Sequence, residues 1–595
     1  MATSPDDARP TSSDNRRKPV RTTQYMIAPA GAGISAQTLA EQLNQFGNIL
    51  WTHDQRGVSG PPIAIVRMPD EAAAALRRST AGSLIIEPDS HLRAASFAGP
   101  ASSFIPAATT MTALGPDLKV TIRVLGEAGA PVEHATVRLV GEQASAQGRT
   151  DRDGNVDLTL LGEVPETIAA IFVSARSGHW GLWQQRPYIE ADAVNTLTLK
   201  PLPLHGRLDW GGEAMHFDQV PDHCRGADVK IALIDNGVAT SHKQLADIKH
   251  GTDARSGEDR SWSKDVTGHG TPCAGIINAA AQADHGVRGY APDSELHVCK
   301  LPLDARCSDL IAALDDCLQN GIDVACVGVG CERGSVLVEQ HIAMAKQQGV
   351  SIIAAAGNAG EGMLFPACSP HVVAVGAVGQ MGSFPEDSPQ AAQAAAATAA
   401  AGGLFVPPFS CRGSELDLCA PGVAVIACQS PDGYAVCDGT SLAAAYVAAL
   451  AALILADHID FKGSFVAKDA HRVERLFQIL KDTAQPIGHP WQTGAGLPDA
   501  ARALGVWSDQ RPLAMPLNSG LREMRSAIRE LDRIPFGASQ AMMFEPLRGP
   551  ANVTRLPLNP APLAFQAAGG GTAGGTATVH ELRAAMALAG LAEGP

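Results

Sequence analysis

No stretch of the 595 residues stays apolar long enough to cross a bilayer: the longest such run, Leu442 to Ala456, is fifteen residues, against the roughly twenty a spanning helix needs. No membrane insertion is therefore expected. An export signal is also missing. Residues 1–23 are polar, Asp6, Asp7 and Asp14 precede Arg16-Arg17-Lys18, and the apolar run Tyr25 to Pro29 is too short for a signal-peptide core. The expected location is cytoplasmic. Arg16-Arg17 leaves a twin-arginine route open, although Pro19, Arg21 and Gln24 interrupt what should be apolar; release by an unconventional route is the other alternative. Positive charge is in short supply, with 46 Lys and Arg against 61 Asp and Glu and a net charge of -15. That excludes nucleic acid and anionic membrane surfaces as natural partners, since both attract basic patches. Cysteine is absent outside Cys224–Cys437, and within it no Cys-x-x-Cys pair occurs. A zinc site is not expected. An even count of twelve suits disulfides in a secreted protein, but without an export signal reduced thiols are the expectation.

What is present begins with a hydrophobic content of 45% over a length that predicts three or four folded units, each able to bury a core. The most informative stretch is Gly439-Thr440-Ser441 followed by Leu442 to Ala456. Helix formers that are apolar all round predict a helix buried on every side, with Ser441 at its start. Free backbone N–H groups and the positive helix end there favour negative charge beside the serine. Taken alone, Thr440 or Ser441 reads as a simple helix cap. A nucleophilic serine needs a base, an orienting acid and donors for an oxyanion.

Those partners have candidates upstream. Val229-Lys230-Ile231-Ala232-Leu233-Ile234-Asp235 is a buried strand with an acid where it meets its turn. Gly268-His269-Gly270-Thr271 puts a histidine at the start of a small-residue helix, and Ser351 to Gly357 is a strand that ends at Asn358. In the order Asp235, His269, Asn358, Ser441, these four blocks resemble the subtilisin-like serine proteases, the subtilases. Phe409-Ser410-Cys411-Arg412-Gly413, Leu418-Cys419-Ala420-Pro421-Gly422 and Gly494-Ala495-Gly496-Leu497-Pro498-Asp499 extend the likeness over about residues 205–506. The chain departs from the pattern at Ala445, where the family has proline, at Pro272 after His-Gly-Thr, and at Gly328-Val329-Gly330, where Ser-Leu-Gly is usual.

The resemblance implies a serine endopeptidase without metal or organic cofactor, acting on protein or peptide substrates. Asp235, His269 and Ser441 would be the triad and Asn358 an oxyanion donor. Gly328, Val329, Gly330, Ala356 and Gly357 would bind substrate, and Met363-Leu364-Phe365 would floor a shallow apolar pocket for small or medium neutral P1 side chains, with Glu332 near the groove. Cys273, four residues after His269, is either a buried core residue or a thiol that makes activity sensitive to mercurials.

The expected architecture is multidomain, an α/β subtilisin-like parallel-sheet catalytic domain preceded by an α+β ferredoxin-like domain and an all-β sandwich. Residues 1–23 read as disordered. The order βαββαβ over residues 24–92 is ferredoxin-like, and ahead of a subtilase it resembles the family's inhibitory propeptide, which implies intramolecular inhibition and a zymogen that cleaves itself between His91 and about Pro106. Residues 93–117 read as an extended linker. Alternating strands such as Lys119 to Val124 and Thr136 to Val140 predict a sandwich over 118–203, like carboxypeptidase-regulatory-like and immunoglobulin-like modules, and Thr150 to Asn155 reads as a structural turn rather than a calcium loop. The alanine-rich insertion Ser388 to Gly403 is a loop or a short helix, and 507–595 is a tail with short helices. A second reading, a catalytically suppressed subtilase scaffold that acts as a binding protein, stays open.

Overall fold

The computed structural model describes residues 22–31, 35–53, 61–94, 117–205, 208–255, 260–280 and 285–506. Of the stretch 1–23 expected to be disordered, residues 1–21 lie outside the described residues, as do most of the linker and the C-terminal tail, whereas Thr22 and Thr23 begin a strand.

The first unit is a four-stranded antiparallel sheet carrying two helices. Its strands lie in the order Asn48–His53, Ile63–Pro69, Thr22–Pro29, Leu84–Pro88, and the helices are Ala36–Leu43 and Asp70–Thr80. Alternation along a strand sends neighbouring side chains to opposite faces. Here both faces are apolar. Tyr25, Ile27, Ala64 and Val66 pack with Leu39, Leu43 and Leu76 of the helices. Met26, Ala28, Ile63 and Ile65 instead join the core that contains Leu310, Leu314 and Leu337 of the large α/β unit. The sheet is thus buried on both sides, and full burial of each of its Ile, Val and Met side chains contributes roughly 1.5–3 kcal/mol.

Residues 117–205 form two sheets. One has the order Leu182–Gln185, Ile168–Ser174, Thr136–Gly141, Ser145–Arg149; the other is Val194–Leu199, Leu118–Gly126, Asn155–Leu160. Val120, Ile122 and Val124 share one core with Val137, Leu139 and Ile171. At the turn after Thr150, Asp151 Oδ1 accepts from the backbone N–H of Asp153 at 2.9 Å and of Asn155 at 2.8 Å. That carboxylate closes its own turn.

The α/β unit is built on parallel strands in the order His250–Asp253, Glu295–Lys300, Lys230–Asp235, Val324–Val327, Ser351–Ala355, Val373–Gln380, with Leu418–Pro421 parallel beside the last. Gly270–Asn278 and Thr440–Asp457 pack into the core on one side of the sheet. Cys307–Gln319 and Val336–Gln347 pack into that on the other. Helix Thr440–Asp457 is long and apolar enough to pass for a membrane span, being extended beyond the fifteen-residue apolar run by its polar ends, but Thr440 through Leu455 are buried inside the protein. It is the core helix of the unit.

One further detail differs from the sequence reading, and another fits the short-helix alternative that reading left open. Arg93–Ala94, assigned to the linker, form a short strand paired with Val329–Gly330, because the chain leaving the first sheet finds an open strand edge there. In the alanine-rich insertion, Pro389–Ala395 is a helix capped by Ser388 Oγ, which accepts from Ala391 N–H at 3.2 Å. The cysteines are all thiols, and the Sγ atoms of Cys307 and Cys331 approach to 3.8 Å.

Candidate active site

Asp235 ends a strand buried on both faces and is itself 0% exposed. Its Oδ1 lies 2.7 Å from His269 Nδ1 and also accepts from Asn236 N–H at 2.6 Å. With Nδ1 donating to a carboxylate, the imidazole keeps its lone pair at Nε2. His269 is 8% exposed and stands immediately ahead of helix Gly270–Asn278. Close packing explains the glycine that follows it, since a Cβ on Gly270 would meet Gly237 O at 2.2 Å. Pro272 lies in the first turn of this helix, where a missing N–H leaves no intrahelical bond unmade.

The loop that presents His269 is organised by Asp265. Its Oδ1 accepts from Gly268 N–H at 2.7 Å and Thr267 N–H at 3.1 Å, and its Oδ2 from Thr271 N–H at 2.9 Å and Thr271 Oγ at 2.6 Å. Sequence reasoning passed over this residue. A short acid four positions before the histidine, with Thr and Gly between, was the available signal.

Ser441, 2% exposed, sits in the first turn of Thr440–Asp457, and the two helices that begin beside His269 and at Thr440 pack along each other. Cys273, one turn into the first, is within hydrogen-bonding reach of Ser441, and burial, reinforced by the Asp235 carboxylate, pushes its thiol well above the ordinary range. Asn358 Oδ1 accepts from Thr440 N–H at 3.0 Å and from Thr440 Oγ at 2.9 Å, while Thr440 Oγ accepts from Gly357 N–H at 3.1 Å. The amide oxygen is therefore committed to Thr440 and the NH₂ group faces away from it. Ala445 lies fully buried within the uninterrupted helix.

Gly328 brings its strand against the acid: a Cβ there would lie 2.6 Å from Asp235 Oδ2. Val329–Gly330 form a short strand, and Ala356 and Gly357 continue from strand Ser351–Ala355. Leu364 fills the space between them. Its N–H donates to Ala356 O at 2.9 Å, and its side chain would be met at 2.8 Å by a Cβ on Gly357.

Strand Val329–Gly330 is paired by the chain's own N-terminal segment, with Ala94 opposite Val329 and Arg93 opposite Gly330. Arg93 also meets Glu332 at 2.9 Å, an exposed pair of the kind that contributes at most about 1 kcal/mol. Upstream, Leu92 N–H donates to Ala305 O at 2.7 Å, and Cys307 N–H to Ser90 O at 2.9 Å. Glu87 accepts from the N–H groups of Val336 at 2.9 Å and Leu337 at 3.1 Å at the start of helix Val336–Gln347.

Among the described residues, His297, Cys299 and Asp316 hold ligand-type atoms within 4.8 Å of one another. Asp316 Oδ2 there already accepts from His297 Nε2 at 2.9 Å, Thr252 Oγ at 2.8 Å and Cys299 Sγ at 3.3 Å, which makes the group a closed hydrogen-bonded network.

A hydrogen-bonded Asp235–His269 pair, with Ser441 in the first turn of a buried helix packed along the helix that follows the histidine, is an arrangement suited to the acyl-transfer class of serine hydrolases. Residues 226–499 match the model of the Subtilase family. The chain is 32% identical over 281 residues to Subtilisin DY of Bacillus licheniformis, covering 46% of this chain and 89% of that protein. It is 32% identical over 322 residues to Alkaline elastase YaB of Bacillus sp. (strain YaB), 53% and 73% of the two chains, and 31% identical over 357 residues to M-protease of Shouchella clausii, 58% and 82%. The chain belongs to the subtilase family and is a subtilisin-like serine endopeptidase.

Proposed function

We propose that Ser441 is the nucleophile, His269 the general base and acid, and Asp235 the residue that orients and stabilises the imidazolium. The observation that carries this reading is the 2.7 Å bond between Asp235 Oδ1 and His269 Nδ1, which leaves Nε2 to take the Ser441 proton as Oγ attacks a peptide carbonyl and to return it to the departing amine. The Asn358 amide, turned by its bonds to Thr440, and the backbone N–H of Ser441 bind the oxyanion. Substrate pairs as an extended strand with Gly328–Gly330 and runs past Ala356 and Gly357.

The chain is made as a zymogen in this reading. Residues 24–92 inhibit the catalytic domain, and Arg93–Ala94 stand in for substrate on the edge strand. Self-cleavage falls between His91 and about Pro106, of which residues 95–106 lie outside the described residues. The same occupied strand supports the second reading, a scaffold held inactive that only binds.

Intact mass of the purified chain over time, beside Ser441→Ala, separates the two. Loss of about the first hundred residues by the unaltered chain alone supports the zymogen. If both chains stay whole and a fluorophosphonate labels neither, the scaffold reading stands instead.

A further inference from the structure

The loop that leads into Ser441 is held from an unexpected direction. Asp438, three residues before the serine, accepts on Oδ2 from Gln390 Nε2 at 2.8 Å and from Gln393 Nε2 at 3.0 Å, and on Oδ1 from the backbone N–H of Ala424 at 2.7 Å. Gln390 and Gln393 lie three apart, hence on one face of a helix, and both are buried, at 6% and 1% exposure. They belong to Pro389–Ala395, the helix inside the alanine-rich insertion. One residue after Asp438, Gly439 N–H donates to Gly422 O at 2.8 Å, and one residue later Thr440 takes the bonds to Asn358. The backbone from Asp438 to Ser441 is thus pinned at each step.

That helix is braced by the unit at 117–205. Trp183 N–H donates to Asp387 O at 2.7 Å, Lys200 Nζ meets Asp387 Oδ1 at 2.9 Å, and Pro389 packs on Gly181. The third donor to Asp438 is braced by the same unit. Trp180, 6% exposed, packs with Val423, Ala424, Ala377 and Phe405 in one cluster. Two separate contacts of 117–205 therefore converge on the single carboxylate that sets the approach to Ser441.

We propose that Gln390, Gln393 and Asp438 are positioning residues for the nucleophile, and that the 117–205 unit supports turnover by bracing them rather than by recruiting substrate. The inference rests on Ser441 being the nucleophile. A carboxylate held by three donors in a fixed fan has one arrangement, whereas one held by Ala424 alone can rotate, leaving the approach to Ser441 to the bonds of Gly439 to Gly422 and of Thr440 to Asn358. Misplacement by about 1 Å at a reacting group costs on the order of a hundredfold in rate.

The test uses the full chain after self-processing, with active sites counted by fluorophosphonate titration. Gln390→Ala/Gln393→Ala is expected to lower kcat per titrated site about tenfold or more while KM stays within about twofold. Asp438→Asn, whose amide can still accept from Ala424 and donate to the turned glutamine oxygens, is expected to stay within about threefold of the unaltered enzyme. Equal kcat per titrated site for the double variant, whatever its melting temperature, overturns the proposal, because a merely stabilising clamp changes the number of active sites and not their rate. Gln393→Ala alone, expected to fall between, provides the same comparison if the double variant does not fold, and an unaltered kcat per site there overturns the proposal equally. Ser441→Ala labelled as fast as the unaltered chain would instead remove the reading of the serine itself.

Discussion

Asp89 holds Ser308 with both carboxylate oxygens, Oδ1 accepting from the backbone N–H at 3.0 Å and Oδ2 from the hydroxyl at 2.7 Å. Ser308 is the second residue of helix Cys307–Gln319, and Glu87 does the same work at the start of Val336–Gln347. Two acids of one short segment, Ile86 to Ser90, thus satisfy orphan N–H groups of two helices that a detached catalytic domain leaves to water.

Glu87→Ala/Asp89→Ala should therefore loosen the N-terminal unit without touching the proposed triad. Loss of one capping side chain costs about 1 kcal/mol, so the pair is expected to shift docking by about thirtyfold, at roughly 1.4 kcal/mol per tenfold. The rate at which a fluorophosphonate labels the unprocessed chain reads this directly. A rate equal to that of the unaltered chain would show that the apolar face of Met26, Ala28, Ile63 and Ile65 carries the docking alone.

Docking is also expected to depend on pH through Asp89. Burial raises its pKa above the ordinary carboxylate value, against the opposing hydrogen bonds from Ser308 and Gln24. The docked carboxyl then holds its proton more tightly than the free one, so docking takes up a proton in the window between the two values. Acidification from neutral into that window strengthens docking, and raising the pH through the docked pKa weakens it to a plateau. Labelling of the full-length chain should accelerate as pH rises out of the window, once the intrinsic profile of the mature form that the zymogen proposal predicts is divided out. Asp89→Asn should flatten the curve.

Why some of this was legible in the sequence and some not follows from how far apart the partners lie. Asp235, His269, Asn358 and Ser441 each sit in a contiguous block whose local chemistry, a strand end or a helix start between glycines, marks it without reference to the others. Asp265 had a local signal too, but one shared with any Asx turn. Gln390 and Gln393 had none. They are ordinary residues of an alanine-rich stretch 48 and 45 positions from the carboxylate they hold, and only tertiary packing joins them. The double burial of the first sheet was equally hidden. Tyr25-Met26-Ile27-Ala28 reads as a strand, but an apolar run does not say what covers each face.

Leu364 is expected to limit the P1 side chain. It occupies the space between Gly330 and Gly357, and its neighbours Ala356 and Phe365 carry no charge. Leu364→Gly would open that volume, and a large apolar P1 residue such as Phe should gain about tenfold or more in kcat/KM relative to Ala, the scale on which apolar pocket contacts discriminate. Profiling with a peptide library checks it. A strong preference for Arg or Lys in the unaltered enzyme would mean that Glu332, once released from Arg93, governs the pocket instead.

Asn358 offers the sharpest separation between binding and chemistry. Its Oδ1 is fixed by Thr440, and in the proposed role its NH₂ group would be held ready for the charge that develops on the carbonyl oxygen. Donors of this kind act on the transition state more than on the bound substrate, and removing one costs about a hundred- to a thousandfold in kcat. Asn358→Ala should fall in that range with KM changed by less than about threefold. Asn358→Asp keeps an oxygen for the Thr440 bonds but turns a second acceptor toward the oxyanion, and it should do no better than alanine. Recovery of activity by aspartate would instead assign Asn358 to holding Thr440 in place, and the oxyanion would then depend on the backbone N–H of Ser441 alone.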